Sequence, residues 1–178
     1  LGLSEGVGHA VAQTGLAVVG LWLAQQISFD GDAALWTTVG LARLPVVLQL
    51  AVAMLLLDFA RYWQHRMFHE VPLLWGTHKV HHAVRSYGPT RAARHHPLSP
   101  MVTTAIWMGF ALLGAPVVVF AMAQAFAASN GALQHCGAHL RIGRLDAVFA
   151  GPAVHRWHHA RALHDRNFGP NLTVWDQV

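Results

Sequence analysis

At 178 residues the chain fits one domain, but with 54% hydrophobic and only 11% charged side chains it lacks the polar surface of an ordinary soluble protein. Twelve basic side chains against eight acidic ones raise the pI to about 10.2, yet eleven of the twelve are arginines scattered among histidines, with no basic run, which excludes a nucleic-acid tail. A single cysteine, Cys136, excludes an internal disulfide and a thiolate zinc site, whereas fourteen histidines are several-fold above ordinary usage.

Residues 1–8 have neither an initiating Met nor a basic leader, and the chain stops in mid-pattern at Val178, so it reads as a piece truncated at both ends. Crossing the hydrocarbon core takes about twenty apolar residues. Residues 9–27 form the first such run, with a lone His9 that reads as packed, and a polar turn holding Asp30 and Asp32 ends it. Residues 33–62 follow, where Arg43 and Pro45 mark either a kink or a true start at Leu44, so that 44–62 completes a first hairpin. A second hairpin over 100–129 turns at Gly114-Ala115-Pro116, a sequence that breaks helices. Two histidine-bearing segments, 65–99 and 130–178, follow the hairpins and must share one side of the membrane. Arg61, Arg66, Lys79, Arg85, Arg91 and Arg94 stand on that side and two aspartates on the other, which sets the histidines in the cytoplasm. The expected architecture is all-α: about four transmembrane helices in two hairpins beneath a cytosolic helical cap, as one domain over 1–178. The alternative, the buried core of a soluble helical protein, leaves too few charges to cover a surface. With no glycine-rich nucleotide loop, reducing power has to come from elsewhere.

Four histidine sets stand in these segments. On helices, His65 and His69 at i, i+4 share one face, and His78, His81 and His82 at i, i+3, i+4 converge on one side. His135 with His139 repeats the first spacing, and His155, His158 and His159 repeat the second. One such pair means little, but ten imidazoles are enough for two six-coordinate metals, each keeping an open position. Neutral imidazole suits Zn, Cu, Fe and Ni, so the metal stays open on this chemistry, although so many nitrogens favour iron over a closed zinc tetrahedron. A pH-responsive or haem-binding set is the plainer alternative, and haem would need only one or two ligands. Ligating rings are held by second hydrogen bonds, for which Asp58, Asp146, Asp165, Asn167 and Asp176 are candidates. His95 and His96 lie close by, outside the inner ligand set, and His164 stands beside Asp165. Tyr62, Trp63, Trp75 and Trp157 could line the site or sit in an interfacial belt.

The succession Asp58-x-x-x-Tyr62-Trp63-x-His65, His69, His78-Lys-Val-His81-His82, His95-His96-Pro97-Leu98, His155-Arg-Trp-His158-His159, Asn167-Phe168-Gly169 and Trp175-Asp176 resembles the fatty acid hydroxylase/sterol desaturase superfamily over 58–178. The resemblance implies a membrane enzyme with two iron ions, for which zinc substitutes in a purified sample, using O2 and two electrons to attack a lipid C–H bond. It makes the ten histidines ligands, with Asp58, His96, Asp165 and Asn167 around them. It further implies a lipid substrate and a separate electron donor (a ferredoxin, cytochrome b5 or reductase), as in a bacterial inner-membrane member. Ser99 stands where the family often has Glu, and a Phe-Gly-Thr that usually follows Trp-Asp is missing. Hydroxylation and desaturation are not distinguished. The competing class is a non-enzymatic membrane metal carrier, for which the spans offer few polar groups.

Overall fold

The computed structural model describes residues 34–83, 88, 92, 94–160 and 165–177. The expected span over 9–27, with His9, the turn at Asp30 and Asp32, and His164 all lie outside the described residues. Among the described residues six α-helices follow one another: α1 (Leu35–Thr38), α2 (Val46–Glu70), α3 (Pro72–His82), α4 (Leu98–Leu112), α5 (Val117–Gln134) and α6 (Pro152–His158). Short 3-10 turns cover Leu41–Arg43, Gly143–Ala147 and Thr173–Gln177. There is no strand among the described residues, only an isolated antiparallel bridge between Phe149 and Leu172.

Pro45, extended and without an N–H, stands immediately before α2 and settles where that span begins. Past the expected boundary at 62, α2 runs on to Glu70, and α5 runs past 129 to Gln134, so each apolar helix delivers its own histidines without an intervening loop. Both are long and apolar enough to cross a membrane. At 15 residues α4 spans roughly 22 Å, short of a hydrocarbon core of about 30 Å. Large apolar side chains cover the outer faces, with Val47 71% exposed and Leu48, Phe59, Met101, Val118 and Phe126 about half exposed. Water would be a poor solvent for that surface, and lipid is a good one.

Inside, α2, α4 and α5 close on Ala53 and Leu57, Trp107 and Phe110, and Val119, Phe120 and Ala123, with Trp36 of α1 as a plug. The rings meet edge to face, Trp36 on Phe110 at 5.7 Å and Trp107 on Phe120 at 5.2 Å. Buried Gln49 accepts from Trp36 Nε1 (3.0 Å) and donates to the Leu44 carbonyl (2.8 Å), satisfying the polar groups at this end. At the opposite end, Gln64 Nε2 donates to Thr103 Oγ1 (2.7 Å), and Ser99 Oγ donates to Thr77 Oγ1 (3.2 Å), tying α2 and α3 to α4. Ser99 is thus a buried hydroxyl between helices.

Gly114 at the hairpin tip has φ +82°, and an added Cβ would run into Ala34. Gly114→Ala is expected to destabilise the protein by about 1–3 kcal/mol, through left-handed strain and the clash with α1. Thermal unfolding in detergent measures this, and unchanged stability would remove the constraint assigned to the tip.

Candidate metal centre

Among the described residues nine histidines converge in two adjoining groups, and within each group the ligand atoms all lie within 4.8 Å of one another. The first holds His65, His69, His78, His82 and His158, and the second His81, His135, His155 and His159. Two nitrogens on opposite sides of one metal stand about 4.2 Å apart at ordinary metal–imidazole lengths, so each group has the dimensions of a single site. Each triplet divides where convergence on one side was expected. His78 and His82, one turn apart, serve the first group while His81 serves the second. In α6 the order inverts, with His155 and the following His159 in the second group and His158 in the first. The groups touch through the stacked rings of His82 and His159, 4.3 Å apart.

Backbone carbonyls decide which nitrogen of several rings points inward. A carbonyl only accepts, so a ring nitrogen resting on one must carry the proton. Nδ1 of His65 donates to Phe168 O (2.9 Å), that of His158 to Arg166 O (2.7 Å), that of His81 to Arg94 O (3.2 Å), and that of His135 to Gly131 O (2.7 Å). In a neutral ring the opposite nitrogen, Nε2, is then a bare lone pair. The Nε2 atoms of His81 and His135 face each other at 3.1 Å, and those of His135 and His155 at 3.1 Å. Those of His155 and His159 stand 3.0 Å apart, and those of His78 and His82 3.2 Å apart.

Lone pair against lone pair repels, so the His81–His135 contact needs either a proton or a metal cation between the two nitrogens. Protonation is opposed. Burial, then the neighbouring histidines, hold His81, His82 and His155 well below the usual imidazole range and push His78 and His159 down to about 2. Nδ1 of His78 and of His82 are moreover buried with no hydrogen-bond partner among the described residues. The donor set therefore fits two divalent transition metals bound by neutral imidazole.

Two of these carbonyls, those of Phe168 and Arg166, belong to the segment 166–176. Asp176 accepts from the N–H of Phe168 (2.7 Å) and of Gly169 (3.0 Å). Buried Asp58 of α2 accepts from Asn171 Nδ2 (2.6 Å), Leu172 N–H (3.0 Å) and Trp175 Nε1 (2.9 Å). Gln134 and Asn130 of α5 secure the same stretch, through Pro170 O at 2.6 Å and Asn171 Oδ1 at 2.7 Å. Asp58 and Asp176 thus act on the rings through the backbone, and Asp165 alone among the candidate acids lies beside a ligand-group ring, 3.6 Å from His69 Nδ1. Asn167 takes the left-handed backbone (φ +57°) that turns Phe168 inward.

His139 is in neither group. Helix α5 stops at Gln134, with His135 at its C-cap and Gly137 following, so the i, i+4 helical spacing expected of His135 and His139 is absent and His139 is exposed. His96 accepts from Leu98 N–H (3.3 Å) at the start of α4 and is a member of neither group. His95 stacks on His81 at 4.4 Å and donates to Ala92 O. Asp146 caps Ile142 N–H and pairs with Arg141, outside the site. Trp75 packs on His69 (5.0 Å) and lines the first group, while Trp63 and Trp157 are exposed. Gln134, Asn130 and Asn171 were not singled out by the sequence; Asn171 lies between the Asn167-Phe168-Gly169 and Trp175-Asp176 elements that were.

A family model described as fatty acid hydroxylase matches residues 50–178. The chain is 36% identical over 137 residues to an ornithine lipid hydroxylase, OlsE, of Rhizobium tropici, covering 75% of this chain and 41% of the relative. It is 32% identical over 128 residues to the alkylglycerol monooxygenase of Homo sapiens, covering 71% and 28%. Sphinganine C4-monooxygenase 2 of Arabidopsis thaliana is 28% identical over 179 residues, covering 96% and 67%. The chain thus spans less than half the length of the first two relatives. No solved structure matches it.

Asp58→Ala should loosen the segment 166–176 and with it the Phe168 and Arg166 carbonyls. Metal affinity is expected to fall about 10–100-fold, as losses behind a ligand ring usually do, in a chelator competition; unchanged affinity would contradict the linkage. In metal-free protein, imidazoles whose pKa is depressed on folding stabilise the fold above an unfolded pKa near 6.5. That stability should drain away as pH falls from about 6.5 towards 2, visible as a falling unfolding midpoint.

Proposed function

The chain belongs to the fatty acid hydroxylase family, and from that premise we propose that it is a membrane oxygenase that hydroxylates or desaturates a lipid. Two iron ions would be held by His65, His69, His78, His82 and His158, and by His81, His135, His155 and His159. The observation that carries this reading is the facing of lone pairs at the His81–His135 contact, a geometry that a cation relieves. His139, named with the ligands on resemblance alone, is exposed and is left out of the proposed set. When bound, such ions supply activation of dioxygen with two electrons from a separate donor, leaving one oxygen atom on the lipid or a double bond in it.

The protein's own part is orientation and exclusion. Carbonyls at Phe168, Arg166, Arg94 and Gly131 keep the proton on Nδ1 and free Nε2. Phe68 (5.2 Å from His78) and Phe168 (5.1 Å from His69) place apolar rings against the ligands, keeping water from the first group. Because α2 and α5 both deliver histidines from their last turns, the site lies at one membrane face. Arg66, Lys79 and Arg94 on the adjoining segments favour the cytoplasmic face, of a bacterial inner membrane, where a ferredoxin, cytochrome b5 or reductase would reach it. A metal carrier would need a cation path through the spans. Asp58, the acid at that depth, is committed to three donors, and Arg61 beside it repels cations.

Membranes containing the protein, given reductant and dioxygen enriched in oxygen-18, are expected to yield a lipid carrying one heavy oxygen, or a newly unsaturated lipid. His158→Ala should abolish either product. Mass spectrometry of the extracted lipids decides, and product formation undiminished in the variant would overturn the assignment.

A further inference from the structure

The segment that connects His135 to α6 is apolar and exposed at once. It leaves α5 at its C-terminal end and returns there at Ala150, whose carbonyl accepts from Gln134, the last residue of α5. Between these points every residue from Gly137 to Phe149 except Asp146 is exposed. Five of them are large and apolar: Leu140, Ile142, Leu145, Val148 and Phe149 are each 43–54% exposed. An apolar patch of this extent, edged by polar residues, marks a contact with a protein or with a membrane.

The local structure sorts these side chains. Gly143–Ala147 is a 3-10 turn, in which side chains three residues apart eclipse one another. Ile142, Leu145 and Val148 stand at that step and form one stripe, and Arg141 and Arg144 stand at the same step on the adjoining side. Arg141 reaches Asp146 at 3.7 Å but keeps 79% of its side chain exposed, and Arg144 is exposed. An apolar stripe bordered by arginines suits an element lying in the plane of a bilayer surface, its apolar side chains among the acyl chains and its guanidinium groups among the phosphates.

The neighbours of the segment point to the same occupant. Thr173 Oγ1 donates to Ala147 O (2.6 Å) and Thr173 N–H to Val148 O (2.9 Å), which packs the turn at Gly143–Ala147 on the turn at Thr173–Gln177. From that second turn Trp175 meets Phe59 of α2 edge to face at 5.1 Å. Phe59 is one of the half-exposed apolar side chains on the outer face of that helix. The patch is therefore continuous with the apolar outer surface of α2, and its arginines complement the phosphates that border such a surface in a bilayer.

We propose that residues 138–149 lie in the head-group boundary of the bilayer, with Ile142, Leu145 and Val148 among the acyl chains and Arg141 and Arg144 on lipid phosphates. The proposal rests on the membrane part of the proposed function and does not need the oxidation. Because the segment runs from His135 to α6, the bilayer surface becomes one of the supports of the second histidine group.

The test is depth-dependent fluorescence quenching in nanodiscs of phosphatidylcholine and phosphatidylglycerol, whose two faces are both open to water. In a Cys136→Ser background, Ile142→Cys and Leu145→Cys each carry an environment-sensitive fluorophore, and Phe126→Cys, on the outer face of α5, carries the same label as a control. The labels at 142 and 145 are expected to lose most of their emission to lipids bearing a nitroxide near the head group and little to aqueous iodide. Replacing both arginines, Arg141→Glu with Arg144→Glu, should move these labels towards iodide, and labels indifferent to the two charges would remove the arginines from the contact. Labels quenched by iodide, or shielded from both quenchers as beneath a second copy of the chain or another protein, would overturn the proposal while the Phe126 label still answers to lipid. A Phe126 label that no acyl-chain nitroxide reaches would instead overturn the membrane reading, and the proposal with it.

Discussion

The Nε2 atoms of His81 and His135 point at each other from 3.1 Å while the opposite nitrogens of both rings donate to backbone carbonyls. Neither ring can turn without giving up its carbonyl, and neither takes up a proton readily in that buried setting. The rest of the molecule follows from keeping such rings in place. Apolar helices bring His65, His69 and His135 to one end. The short helices α3 and α6 bring the two triplets, and a loop folded back across the site supplies carbonyl groups.

That loop is held by charge. Asp58 sits in the apolar part of α2 with three donors from the segment beyond Pro170, and Asp176 gathers two N–H groups at Phe168 and Gly169. Gly169 has no room for a side chain, since a Cβ would meet Leu172 O and stand 2.9 Å from Asp176 Oδ2. A chain of contacts therefore runs from the buried Asp58 carboxylate, through backbone, to the ring nitrogen of His65. The two iron ions proposed for the site would be positioned by the same contacts that dock the C-terminal segment onto α2.

Much of this was legible in the sequence because histidines at i, i+4 on a helix need only that helix to share a face. The boxes at 65 and 69, 78 to 82 and 155 to 159, the start of α2 beside Pro45 and the hairpin tip at Gly114 follow from local rules. The division of each triplet between two groups does not, since it depends on how α3 and α6 cross. The exposed His139 shows the limit of spacing: four residues make a face only while the helix continues, and α5 ends one residue before His135. Only side chains could be named as candidates behind the rings, because backbone carbonyls carry no signal in side-chain identity.

The central claim is that two cations sit where these lone pairs converge. Metal content per chain of detergent-purified protein from iron-replete cells, with X-ray absorption at the metal edge, tests it most directly. About two metals per chain in shells of imidazole nitrogen, and fewer in His158→Ala, are predicted. Near zero, a single metal indifferent to His158, or sulfur ligation from Cys136 would contradict the account.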